Sequence, residues 1–300
     1  MKKEYFLIFL TAVISGFSVF INKFGVSISN SNVFTFLKNL IVAILLSGVL
    51  IIFRDFRELK KLNKKQWFLL LAIGLIGGSV PFLLFFKGLS LIPASQGSFW
   101  HKTMFLYVAI ISAVFLKEKI NRKFLFGGLL IIFGNFFLLK TIPSPFYKGD
   151  VLVILATIFW AFENVISKYT LKNLSPQIVA WARMFFGSIF ILLFLLGTNQ
   201  LKIAADLNLR QISWILVTAI LLFGYVETWY HGLKFVSVSQ ATVILVLGSP
   251  ITTFLSFISG GKINFQETIS GILIVFGIIS ILGFKEFWKL IKEAKKSYAQ

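Results

Sequence analysis

Chemistry in this chain has few places to happen. Lys38, His101, Lys102, Glu163, Arg183 and Glu227 interrupt long apolar runs, and Lys87 and His231 lie near the ends of such runs. A charge at the centre of a bilayer costs about 2.5–3.5 kcal/mol on insertion scales, so such residues turn inward, toward one another or a polar cargo. Glu163 shares a helix face with Trp160, Asn164 and Ser167, at i, i+3 and i+4 spacing. It is suited to hold a substrate ammonium or a proton, or to pair with Arg183 or Asn164. Trp100, His101 and Lys102 are consecutive, with Tyr107 beyond and Trp160 and Trp181 available to face them. Together with Lys38 they make a positive region whose nearest acids, Asp150 and Glu267, lie at span edges. A buried cation wants an anion, and a substrate carboxylate or phosphate would supply one. Arg183–Glu227 is the ion pair expected in the opposite half of the membrane, with Glu227 and His231 one turn apart.

Other chemistries lack their parts. Cysteine is absent and there are two histidines, so no thiolate site, metal cluster or nucleophilic triad is in reach. No Gly-rich nucleotide loop occurs. No enzyme, metal or cofactor is expected.

The elements that must position these residues follow from composition. Of 300 residues, 57% are hydrophobic and 14% charged, against about 25% charged in a soluble protein. Apolar runs of about 20 residues predict transmembrane helices over 4–24, 33–53, 67–89, 94–116, 124–140, 149–169, 177–197, 211–233, 239–259 and 267–284. A net charge of +19 would suggest nucleic acid in a soluble chain. Here the charges flank the spans, where they set topology, and no nucleic-acid partner is expected. Of 30 Lys and Arg, twenty fall on the side of the N-terminus and six on the other. The positive-inside rule then puts both termini in the cytoplasm, in the cell (inner) membrane. Residues 285–300 read as a basic amphipathic tail for an anionic leaflet.

The chain also repeats itself. "FSVFINKF" (17–24) lies over "FENVISKY" (162–169) at offset 145, which places Lys38 opposite Arg183. "KGLSLIPASQ" (87–96) lies over "HGLKFVSVSQ" (231–240), and "GLLIIFG" (128–134) over "GILIVFG" (271–277). Each half holds five spans, an odd number, so the halves run in opposite directions: residues 1–145 form the first five-helix repeat and 146–284 the second, inverted one. The expected fold is an all-α membrane protein of ten helices around a central cavity, an architecture whose substrate sites lie at the repeat interface. Symmetry places Lys38 near one mouth of that cavity and Arg183 near the other. Pro81, Pro250 and the glycines of the third span would let the halves rock. Pro250 also frees a carbonyl near Val246. The stripe Thr11, Ser15, Ser18 and Asn22 reads as interhelical hydrogen bonding.

This pattern, with "FLKEKIN" (115–121), "GLLIIFG" (128–134) and "GSPI" (248–251), resembles the EamA type of the drug/metabolite transporter superfamily. Two features depart from it: "SGGKIN" (259–264) lacks the usual Glu, and Tyr107 stands where the fourth helix often has proline. The resemblance implies a carrier working by alternating access, commonly an exporter. With both charge signs and many aromatics inside, the expected cargo is a small zwitterion such as an amino acid. The alternative is exchange of an anionic or phosphorylated metabolite. Substrate contacts are expected from Lys38, Trp100, His101, Lys102, Trp160, Glu163, Asn164, Arg183 and Glu227. Besides the small-molecule substrate, the expected partner is the lipid bilayer, with the protein a monomer or homodimer.

Overall fold

A computed structural model describes residues 3–137, 147–260 and 265–284. The basic tail lies outside them. The long helices are α1 (Glu4–Ser27), α2 (Ser31–Ile52), α3 (Lys64–Leu91), α4 (Gln96–Phe115), α5 (Arg122–Phe137), α6 (Lys148–Thr170), α7 (Pro176–Gly197), α8 (Leu209–Phe235), α9 (Val238–Ile258) and α10 (Phe265–Leu282). Nine are long and apolar enough, among the described residues, to cross a membrane. The tenth, α5, is described over 16 residues. Local chemistry places the starts. Asn30, Asn63 and Asn208 accept backbone N–H bonds at the heads of α2, α3 and α8, satisfying donors a helix cannot pair internally.

The inverted repeat is legible in the packing. α1 lies along α8 and, equivalently, α6 lies along α3; α2 meets α7, and α5 meets α10, across the pseudo-two-fold. Gly127 and Gly277 sit at the α5–α10 crossing: a Cβ on either would come within 2.6 Å of the other's carbonyl oxygen. Two lysines obey the same symmetry. Lys23 Nζ donates to Leu89 O (2.9 Å) and Ile92 O (2.8 Å) at the end of α3. Lys168 Nζ donates to Leu233 O, Lys234 O and Val236 O at the end of α8. The last carbonyls of a helix lack intrahelical donors and carry the negative end of its dipole, so an ammonium there satisfies both. Lys168 therefore caps the end of α8.

Helix breaks are shared only in part. α4 breaks at Thr103 and α9 at Val246–Leu247, equivalent positions in the repeat. In α9 the Val246 carbonyl is not left for substrate: it accepts from Ser249 N at 2.9 Å. α3 differs from its mate. Its segment Gly74–Ser79 is a π-turn followed by Pro81, whereas α8 is continuous. Wide turns of this kind loosen the backbone ladder and leave carbonyls for outside donors. Gly77 O and Gly78 O of α3 are taken by side chains of α2, α6 and α7.

Candidate functional site

One cavity lies among α1, α2, α3, α4, α6, α7 and α8. It is lined by Ser15, Ser18, Val19, Asn22, Lys38, Phe82, Phe85, Phe86, His101, Met104, Trp160, Asn164, Arg183, Leu222 and Tyr225. Its volume, counted as space open to the centres of water molecules, is about 60 Å³. That exceeds the roughly 10–15 Å³ a cavity needs to hold one water.

Lys38 is 1% exposed. Its Nζ sits 3.4 Å from the Phe86 ring centroid, with Phe34 at 5.2 Å and Phe82 at 5.7 Å. Ring faces attract a desolvated ammonium. Its Nζ donates to Asn22 Oδ1, 3.1 Å; Asn22 Nδ2 is held in turn by bonds to Ser18 O and Ser18 Oγ. The polar stripe of α1 thus serves a cation of the cavity. Arg183 approaches the same Phe82 ring, Cζ at 5.5 Å. The two symmetry-related cations thus meet at one ring, Phe82, inside the cavity. His101 lies between Phe85 and Trp160, ring centroids 5.4 and 5.2 Å away. Its Nδ1 is buried without a hydrogen-bond partner.

Arg183 and Glu163 form the cavity's floor and what lies under it. Arg183 Nε donates to Gly77 O (3.2 Å), and Nη1 reaches Tyr230 OH (3.4 Å) and Glu163 Oε2 (3.8 Å). Glu163 is fully buried; Oε1 accepts from Tyr230 OH (2.6 Å) and Ser167 Oγ. Trp160 Nε1 donates to Gly77 O at 3.0 Å. Asn164 Oδ1 accepts from Trp229 Nε1, 3.0 Å.

The expected pair Arg183–Glu227 is not formed. Glu227 Oε2 lies 3.4 Å from His231 Nδ1 on its own helix, because adjacent turns of α8 bring these two together, while Arg183 meets α8 at Tyr230. Four expected contact residues are absent from the lining. Trp100 donates to Asp150 Oδ1 (2.6 Å), at the head of α6. Lys102 sits behind the wall, Nζ donating to Ser15 Oγ at 2.7 Å. Glu163 lies below the floor, and Glu227 points elsewhere. Trp181 bonds Ser47 Oγ and stacks on Phe185. Brought together as expected are Lys38, His101, Trp160, Asn164 and Arg183. Sequence reasoning missed Phe82, Phe85, Phe86, Met104 and Tyr225. Phe82, Phe85 and Phe86 share one face of α3, but in a chain with 36 phenylalanines that spacing singles out nothing.

Ten helices in inverted halves around a buried, cation-lined cavity define a membrane transporter. The EamA-like transporter family model matches residues 2–140 and again 147–283, and the chain belongs to that family. Among its relatives is the riboflavin transporter ImpX of Fusobacterium nucleatum subsp. nucleatum, 27% identical over 82% of this chain and 86% of that one. Two Bacillus subtilis relatives are described as uncharacterized transporters: YoaV, 25% identical over 91% of this chain and 93% of its own, and YyaM, 23% identical over 75% of each. One solved crystal structure superposes with a TM-score of 0.76 at 15% identity, covering 93% of this chain and 97% of that chain; it shares the fold.

Proposed function

We propose that this carrier moves a small organic anion by alternating access, the anion bound between Lys38, His101 and Arg183. The observation that carries the reading is one of charge balance. Lys38 and Lys102 have no carboxylate partner among the described residues, while the two mid-membrane acids are engaged, Glu163 by Arg183 and Tyr230, Glu227 by His231. Unpaired buried cations are stabilised by a compensating anion. A carboxylate or phosphate ester supplies the charge, and Phe85 and Trp160 supply apolar walls.

A zwitterionic amino acid is the second reading. Its carboxylate fits the same cations, and its ammonium would rest on the aromatic faces of Trp160 and Tyr225 rather than on Glu163.

Counterflow in proteoliposomes tests the reading, with labelled lactate, succinate, glycerol phosphate, alanine and lysine on both sides. Exchange of one of the first three, reduced at least tenfold by Lys38→Gln, is expected. Exchange of lysine alone, or indifference to Lys38→Gln, refutes it. For topology we propose cytoplasmic termini. The chain has no cysteine, so Ser27→Cys and Asn63→Cys report directly: an impermeant maleimide added to intact cells should label only the former.

A further inference from the structure

We propose that Glu163 is a proton-binding site, loaded when the anion draws Arg183 away from it, so that one proton travels with each anion carried. The inference rests on the anion reading above and goes beyond it by naming the coupling ion.

The argument is geometric. Arg183 faces two ways: it lines the cavity with its Cζ 5.5 Å from the Phe82 ring, yet its Nη1 is the counter-ion of Glu163, which is not among the lining residues. The two are 3.8 Å apart, an ion pair without the closer, bidentate fit that makes such pairs hard to open. No hydrogen bond from Nη2 is present among the described residues, so one edge of the fork is free for a ligand. Glu163 Oε2 is buried with no hydrogen-bond partner. An anion seated on Arg183 therefore competes with Glu163 for the same cation.

Among the described residues, Glu163 has no other cation to turn to. Facing it from its own helix is Ser167, from α8 Tyr230 with Tyr225 beyond, from α3 the glycines of the π-turn, from α7 Arg183; His101 of α4 lies on the cavity side of Arg183. Tyr230 and Ser167 donate to Oε1 but carry no charge. A carboxylate in this water-poor place, once its guanidinium is engaged elsewhere, is left uncompensated, at a cost several-fold larger than that of a neutral group. A proton bound at Oε2 restores neutrality. The balance is simple: one proton leaves bulk water and forms an O–H bond at Glu163; one monoanion binds Arg183; the net charge of the loaded carrier equals that of the empty one. Release on the far side returns Arg183 to Glu163 and frees the proton there. Net direction follows the sum of cargo and proton gradients, so export, which the family resemblance implies, runs when the cargo gradient is the larger.

The test uses the full-length protein in proteoliposomes. Counterflow of lactate, succinate and glycerol phosphate is measured first, without a pH gradient; if none is exchanged, the anion reading itself fails. With whichever is exchanged, an imposed pH gradient, acid outside, should drive accumulation at least fivefold above equilibrium, with alkalinisation of the external medium. Exchange without gradient-driven accumulation overturns the coupling proposal. The role of Glu163 is read by binding. In wild type the affinity for the transported anion should fall toward tenfold per pH unit on the alkaline side, whereas Glu163→Gln, which is permanently neutral, should hold a pH-independent affinity, and Glu163→Asp should restore the slope. An infrared difference spectrum, anion-bound minus empty, should show a protonated-carboxyl band in wild type. The same slope, or the same band, in Glu163→Gln would place the proton on another group and overturn the assignment.

Discussion

Gly187→Ala tests how tightly α7 is locked to the π-turn of α3. A Cβ at Gly187 would lie 2.5 Å from Gly78 O, 2.6 Å from Gly78 C and 2.7 Å from Gly78 Cα. All three are backbone atoms, so no side chain can rotate out of the way. Ordinary contact begins near 3.4 Å, and α3 and α7 must part by about 0.9 Å. Arg183 lies one turn from Gly187, and its Nε–Gly77 O bond, now 3.2 Å, would stretch to about 4 Å and be lost. Overpacking of this kind costs about 1–3 kcal/mol, and losing a buried hydrogen bond from a charged donor about 1.5–3 kcal/mol. We expect a loss of about 2.5–6 kcal/mol in unfolding free energy, measured by SDS titration with tryptophan fluorescence in mixed micelles, and loss of counterflow. Gly48→Ala is the control: a Cβ there meets nothing within 4 Å, and the change should stay within about 1 kcal/mol, the helix-propensity difference. If Gly187→Ala unfolds no more easily than Gly48→Ala, α3 and α7 are not held by this contact, and the placement of Arg183 loses its support.

Three further outcomes follow. Lys168→Met removes three bonds to the end of α8 and Lys23→Met two from the end of α3; each should cost about 1–3 kcal/mol, Lys168→Met the more, and a reversed order in the same unfolding assay would contradict the capping geometry. Glu118 accepts from Val238 N, Ser239 N and Ser239 Oγ at the head of α9. Glu118→Ala should cost about 1–2 kcal/mol, as loss of an N-cap does, in the same unfolding assay; an unchanged stability would mean that Glu118 does not cap α9. Glu227→Gln breaks the His231 contact outside the cavity and should leave the anion affinity of the exchanged probe within twofold, whereas a tenfold loss would place Glu227 in the binding site after all.

Much of the architecture was legible before any coordinate. Water is absent from the bilayer core, so each span must satisfy its own backbone, and apolar length alone marks the helices. The offset that aligns "FSVFINKF" with "FENVISKY" foretold that Lys23 and Lys168 are equivalents, and five spans per half require inversion. That Lys38 and Arg183 are symmetry mates was readable too. The cavity itself was less so. Trp100 looked like a wall residue because it precedes His101, but a helix turns 100° per residue, and its indole ends on Asp150. Glu163 read either as a receptor for cargo or as a partner of Arg183, and the structure gives it Arg183.

What the sequence determines by itself, then, is the inventory and its periodicity: ten apolar runs, their reversal, and the few ionisable groups lodged within them. Tertiary structure decides the partners. Arg183 could have reached Glu227, one helix away; it reaches Glu163 because the π-turn of α3, with Gly77 and Gly78 against α6 and α7, draws those two helices together. Lys38 could have run out to the headgroups; it stays because Phe34, Phe82 and Phe86 close around it. Pairings of this kind depend on how closely and at what rotation helices pack, and that is a sum over many contacts between distant segments, written in no single stretch of the chain.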